Sequence, residues 1–150
     1  MADRILRRAT LLDESGIVRC IERAYAIYER AVPDLPEVSQ GIDRDIADNI
    51  VWVAELNGQI TGVLVLIPEP DGLTIANVAV DPANKGQGIG GYLMERATAE
   101  AVRLGERSLR LSTHVDMPDN VALYMHLGWE EIGREGNKVY MSKEVNAQVP

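Results

Sequence analysis

Four glycines fall within the six residues Gly86-Gln87-Gly88-Ile89-Gly90-Gly91, directly ahead of a strongly amphipathic segment. Glycine inside a helix or strand costs about 0.5–1 kcal/mol relative to alanine, so a run this poor in side chains reads as a turn. The turn delivers the chain into a helix over about residues 90–104, which Gly105 stops. Ahead of it, residues 73–80 form an apolar, β-rich run ended by Asp81-Pro82, since proline cannot prolong a ladder. A strand, a turn of bare amides and a helix N-terminus, in that order, form a cradle for phosphate. Successive N–H groups point the same way, and the helix end adds about half a positive charge. Lys85 stands beside the turn with one full charge. The same glycines would also suit a flexible turn that only lets the helix pack closely.

The remaining elements fit one domain over residues 1–150. A short first strand around Ile5 and Leu6 leads to Thr10-x-x-Asp13, a capping-box pattern. Ile17, Ile21, Ala24, Tyr25 and Tyr28 then recur at helical spacing to about Ala31, and turn residues fill 33–41. Residues 42–50 carry a weaker helical pattern. Residues 51–56 and 59–67 are strands joined by Asn57-Gly58, a strong hairpin signal, with a second turn expected at 68–72. Residues 108–115 read as a strand, and Asp119 or Asn120 opens a short helix that Gly128 closes. Residues 129–134 and 138–143 form a last hairpin. The order is β α α β β β α β α β β, an α+β domain whose first half is mainly antiparallel.

Charge and composition restrict the partners. With 15 Lys+Arg against 23 Asp+Glu, the net charge of −8 excludes nucleic acid or anionic membrane gripped by bulk positive charge. The longest apolar run, residues 63–67, is far short of a membrane span, and the apolar run behind the first arginines is too short for a signal peptide. A cytoplasmic location is expected. Cys20, the single cysteine, can form neither an internal disulfide nor a cysteine metal site, and Asp43, Asp45 and Asp48 match no metal pattern. No metal is expected.

Gly86-x-Gly88-x-x-Gly91 formally matches a dinucleotide fingerprint, but its context does not. In a Rossmann unit the strand runs straight into the first glycine, whereas five residues, 81–85, intervene here, and hairpins replace the βαβ unit. A Walker A reading fails because no Gly-Lys-Ser/Thr follows.

Asn77-Val78-Ala79-Val80-Asp81-Pro82, with Lys85-Gly86-Gln87-Gly88-Ile89-Gly90 and a helix behind it, resembles the acyl-CoA motif of the GNAT superfamily of N-acetyltransferases. Ala122-Leu123-Tyr124-Met125-His126-Leu127-Gly128-Trp129 resembles that family's second motif, and the element order agrees over nearly the whole chain. The resemblance implies a GNAT-like fold, a central mixed, mainly antiparallel sheet flanked by helices and splayed between its fourth and fifth strands. It also implies acetyl-CoA as co-substrate, an amine acceptor and a homodimer. The backbone of Val78 and Val80 would meet the pantetheine arm, and the amides from Gly86 through Gln87, Gly88, Ile89 and Gly90 to Gly91 would hold the pyrophosphate. Two positions depart from the family pattern. Lys85 stands where Arg or Gln is usual, replacing a planar fork by a point charge. Met117 occupies the place of an asparagine common seven residues before the tyrosine; Asn120, four before it, either reaches the cofactor from one turn later or caps the helix.

Transfer from a thioester expels a thiolate, which a phenol placed beside the sulfur can protonate. The resemblance gives this general-acid role to Tyr124, although Val121, Tyr124 and Leu127 at helical spacing also describe a core tyrosine. The amine must lose a proton before it attacks. His114, near the end of its strand, is the first candidate base, with Glu69 and Asp71 as alternatives and a structural hydrogen-bonding role as the competing reading. Tyr25 and Tyr28 could line an acceptor pocket. With no Cys or Ser beside a convincing His and carboxylate, direct attack is expected rather than an acyl-enzyme. A non-catalytic acyl-CoA-binding module is the alternative. Surplus carboxylates near the acceptor mouth would draw a cationic amine.

Overall fold

The computed structural model describes residues 4–26 and 40–145. Its centre is β3 (Gln59–Glu69), whose run Val63-Leu64-Val65-Leu66 is fully buried. Successive side chains of a strand point to opposite faces, so a continuous apolar run requires cover on both. Val63 and Val65 meet α1 (Glu14–Tyr25) and α2 (Ile42–Asp48), in a cluster with Ile17, Cys20, Ile21 and Ile42. Leu64 and Leu66 meet α3 (Ile89–Arg103) through Leu93, Ala97 and Ala101. Each such buried aliphatic side chain contributes about 1.5–3 kcal/mol.

The other strands are β1 (Arg4–Arg8), β2 (Ile50–Leu56), β4 (Gly72–Val80), β5 (Ser108–His114), β6 (Glu130–Glu135) and β7 (Lys138–Glu144), with α4 (Pro118–His126) following β5. They form one seven-stranded sheet in the order β1-β2-β3-β4-β5-β7-β6. Every neighbouring pair is antiparallel except β4 and β5. This is the expected mixed α+β architecture. The hairpin at Asn57-Gly58 forms as predicted, with φ of 52° and 81° at its two central residues, the left-handed pair that this tight turn requires.

Several boundaries differ from the sequence reading. β3 continues through Pro68 and Glu69, which pair with Leu73 and Gly72, so the second turn is confined to Pro70-Asp71. Thr10 and Asp13 do meet, the Thr10 N–H donating to Asp13 Oδ2 at 2.8 Å, but they open a single 3-10 turn ahead of α1. Glu100 on α3 is buried, with Arg103 2.7 Å from its carboxylate, and Leu104, which caps that helix, is exposed. Tyr28 and residues 33–39 of the predicted loop lie outside the described residues. No described helix is long and apolar enough to cross a membrane.

Candidate active site

The site begins with a failure of pairing. β4 and β5 pair only at Leu73 with Leu109 and Thr74 with Arg110, and beyond Thr74 the two strands diverge. On its other side β4 remains paired to β3, but the register slips by one residue between Ile75 and Asn77, leaving Ala76 as a bulge. Past the bulge the direction of the backbone groups is fixed. The Asp81 N–H donates to Thr61 O on β3 at 2.8 Å, and strand alternation turns Ala79 and Asn77 the same way. The N–H and C=O groups of Val78 and Val80 therefore face the open fork.

Asp81 ends β4 and shapes the approach to the glycine turn. Its carboxylate accepts the Ala83 N–H at 3.0 Å, capping a 3-10 turn over Pro82–Asn84, and lies 3.0 Å from Arg23 Nε on α1. Lys85, Gly86, Gln87 and Gly88 then form an exposed turn, with Gly86 at φ 85° and Gly88 at φ 78°. Gly88 is the N-cap of α3, and no side chain caps that end. A Cβ at Gly86, Gly88 or Gly91 would meet nothing within 4 Å, so these amides border open space. The free first-turn N–H groups of α3 and its dipole suit an anion there. The Ile89 side chain is buried under the helix, so this residue can offer a ligand only its backbone. β3 approaches closely behind the turn, where a Cβ at Gly62 would come within 2.7 Å of Ile89 Cγ2.

Two cavities open from the fork. One, of about 560 Å³, lies between α3 and α4 and is bounded by Gly90, Gly91, Met94, Thr98 and Leu127. The other, of about 220 Å³, lies between the splayed strands, with Asn77, Ser112, His114, Asn120 and Lys138 in its walls. Val78 and Tyr124 belong to both. The structure thus brings Val78, Gly90, Gly91, Tyr124, His114 and Asn120 around one junction, with Lys85, Gly86, Gln87 and Gly88 in the turn that leads to it. Glu69 and Asp71 line neither cavity, and Asp71 pairs with Arg110 at 3.8 Å.

Tyr124 is positioned by the end of its own helix. Gly128, at φ 96°, turns the chain back after α4, and the Trp129 N–H donates to Tyr124 O at 2.9 Å. The buried Trp129 ring meets the Tyr124 ring edge to face at 5.9 Å between centroids. The Leu127-Gly128-Trp129 sequence therefore has a mechanical purpose, to stop the helix and wedge the tyrosine. Asn120, one turn earlier on the same face, is inside the helix. The N-cap is Met117 and Pro118 occupies the first helical position, which removes the capping reading of Asn120.

His114 is only 7% exposed. Its Nδ1 accepts the Asp116 N–H at 3.0 Å, which fixes the proton of a neutral ring on Nε2. The ring thereby organises the loop between β5 and α4. Tyr25, at the end of α1, donates from its hydroxyl to Asn77 Oδ1 at 3.4 Å and forms part of the smaller cavity wall. Among the described residues that line that cavity there is no carboxylate, and Lys138 is the charged residue of its lining. Lys138 is a lining residue that the sequence does not single out, and Asn77 and Trp129 enter the sequence reading only as the ends of its two motifs. The register that sets Lys138 opposite His114 is the missing signal.

The family described as acetyltransferase (GNAT) domain matches residues 47–131, more than half of the chain, and the protein belongs to it. It is similar to the uncharacterized N-acetyltransferase YjgM of Escherichia coli (strain K12), with 29% identity over 140 residues, covering 85% of this chain and 83% of that protein. In fold it resembles the PaiA N-acetyltransferase of Thermoplasma acidophilum, solved in complex with coenzyme A. That match has a TM-score of 0.84 at 13% identity and covers 95% of this chain and 99% of the other. The ribosomal-protein-S18-alanine N-acetyltransferase of Escherichia coli superposes with a TM-score of 0.77 at 19% identity, over 95% and 94% of the two chains. The chain is accordingly a GNAT acetyltransferase, with a splayed sheet suited to an acyl-CoA.

Proposed function

We propose that the protein transfers the acetyl group of acetyl-CoA directly to a primary amine. The observation that carries this reading is the junction of two cavities at Val78 and Tyr124, one bordered by the glycine helix and the other by the splayed strands. Two substrates entering from opposite sides would meet there. The fit to CoA rests on the open glycine turn, the uncapped start of α3 and the outward-facing backbone of Val78 and Val80. The amides from Gly86 to Gly91 would hold the pyrophosphate, with Lys85 adding one charge. When bound, acetyl-CoA supplies the activated acetyl thioester.

The Val78 N–H polarises the thioester carbonyl as the amine nitrogen attacks. The new C–N bond forms, the C–S bond breaks, and the Tyr124 hydroxyl donates its proton to the departing sulfur. Tyrosinate regains a proton from the amine nitrogen through solvent, so the proton count closes. Asn120 borders the acceptor side of the junction rather than the pyrophosphate turn, and its amide is suited to hydrogen-bond the substrates where they meet.

The Nδ1 lone pair of His114 is engaged by the Asp116 N–H and Nε2 bears the proton of the neutral ring, so in this arrangement neither nitrogen takes the proton of the amine. Its hold on the Asp116 N–H favours a positioning role, with the amine entering as its free base or losing its proton to water. The cytoplasmic location expected from the apolar runs and the homodimer implied by the resemblance belong to this proposal, and sedimentation of the purified protein checks the second.

An acceptor screen tests the reading. Acetyl-CoA is supplied with a panel of amines, and free thiol is followed alongside the mass of each product. Thiol release matched by one acetyl per acceptor supports transfer. Binding of acetyl-CoA with no release across the panel supports the non-catalytic module instead.

A further inference from the structure

The closed end of the fork is aliphatic. Leu73 with Leu109 and Thr74 with Arg110 are the last paired rows of β4 and β5, so Ile75 and Leu111 are the first residues past the split, and both line the smaller cavity. They are buried members of the core cluster against which Val78 and Tyr124 pack, so the core itself reaches the cavity at this end. Met117, at the start of α4, lines the same cavity and is 5% exposed. Every other buried apolar residue of the described chain belongs to one of the two core clusters, whereas Met117 belongs to neither. The open end is polar by contrast. His114 stands there with Asn137, three residues beyond Leu111 and roughly 10 Å further along the strand.

Resting on the acyl-transfer reading, we propose that this closed end is an acyl-chain pocket formed by Ile75, Leu111 and Met117, and that it takes the chains of propionyl- and butyryl-CoA as well as acetyl. An acyl-CoA with its pyrophosphate at the glycine turn runs along β4 from Val80 to Val78, where the thioester carbonyl meets the Val78 N–H. The carbon chain beyond that carbonyl continues the same way, past the Ala76 bulge to Ile75, while the amine enters from the polar end. The volume agrees. About 220 Å³ is the liquid volume of about seven waters, so a lone acetyl methyl leaves much of the aliphatic wall bare. The reaction is unchanged, since the C–N bond forms, the C–S bond breaks and sulfur takes the proton; only the carbon count of the transferred group differs. Methionine, unbranched and adaptable, suits the wall that sets the chain length.

The test measures Kd by titration calorimetry for acetyl-, propionyl-, butyryl- and hexanoyl-CoA, with no amine present, in the unaltered protein, Met117→Ala and Met117→Phe. The expected affinity of the unaltered protein rises about fourfold for each methylene from acetyl to butyryl and rises no further at hexanoyl. In Met117→Ala the rise continues to hexanoyl, and in Met117→Phe butyryl-CoA binds no tighter than acetyl-CoA. An affinity that is flat or falls from acetyl to butyryl in the unaltered protein overturns the proposal, as does a chain-length profile that neither substitution moves. Leu111→Val, on the facing strand, is a second enlargement with the same expected direction, and melting scans of all the variants establish that each is folded. Binding without an amine separates the pocket from the transfer reading. Graded binding with no acylation of any amine upholds the pocket while that reading fails. Rapid acetylation with binding indifferent to chain length overturns the pocket alone.

Discussion

Arg23 Nε on α1 lies 3.0 Å from Asp81 Oδ2 at the end of β4, and the other oxygen of the same carboxylate accepts the Ala83 N–H. One buried side chain thus ties the helix that ends at Tyr25 to the turn that leads into the glycine cluster. Asp81→Asn retains an oxygen for the Ala83 N–H and weakens the tie to Arg23, whereas Asp81→Ala removes both. Steady-state kinetics should show a larger rise in the KM for acetyl-CoA in Asp81→Ala than in Asp81→Asn. Loss of the cap and the ion pair together should cost about 1–3 kcal/mol in urea unfolding. An unchanged KM in Asp81→Ala would separate this carboxylate from the CoA site.

Cys20 packs beside the same carboxylate. Burial, with the nearby Asp81 charge as a smaller contribution, pushes its thiol up to about 12. Since the thiolate is the reactive form, a maleimide at pH 8 should leave the native protein largely unmodified and label it rapidly in urea. Rapid native labelling would contradict the buried position.

Arg7 grips Asp13 with two hydrogen bonds of 2.8 and 2.9 Å, and this holds the Asp13 carboxyl down to about 2. The unfolded value is near 3.9, so the folded state binds this proton less readily. Its stabilisation is therefore complete above about pH 4 and is lost as pH falls through about 2. Asp13→Asn should destabilise by about 1–3 kcal/mol at pH 7, and the gap from the unaltered protein should narrow as urea titrations move below pH 4.

Gly62 holds β3 close to the first turn of α3, where an added methyl group would stand 2.7 Å from Ile89 Cγ2 and 3.1 Å from Leu93 Cδ1. Gly62→Ala should cost about 1–3 kcal/mol by overpacking. It should also raise the KM for acetyl-CoA, because Ile89 can yield only by moving the start of the helix. Calorimetry and kinetics on one preparation read both effects.

Much of this architecture is legible in residue order. The element sequence, the Asn57-Gly58 hairpin and the glycine turn into α3 follow from local chemistry, and the two motifs point to the GNAT family on sequence alone. The burial of Glu100 is not legible, because helical spacing assigns a face without knowing that Arg103 on the next turn will cover its carboxylate. The Ala76 bulge has no local signature, since it is defined by the slip of β4 against β3. Lys138 is hidden for a similar reason. A lysine at the start of a strand looks solvated until long-range register sets it opposite His114 at the cavity.

The central claim is acetyl transfer with Tyr124 as the proton donor to sulfur. It is tested most directly by measuring CoA thiol release and acetyl-amine formation together, in the unaltered protein and in Tyr124→Phe. The phenylalanine keeps the ring contact with Trp129 and removes only the hydroxyl. The predicted result is equal amounts of thiol and acetylated amine, with turnover more than about tenfold lower in Tyr124→Phe and acetyl-CoA affinity nearly unchanged. Equal turnover in the two proteins would contradict the claim.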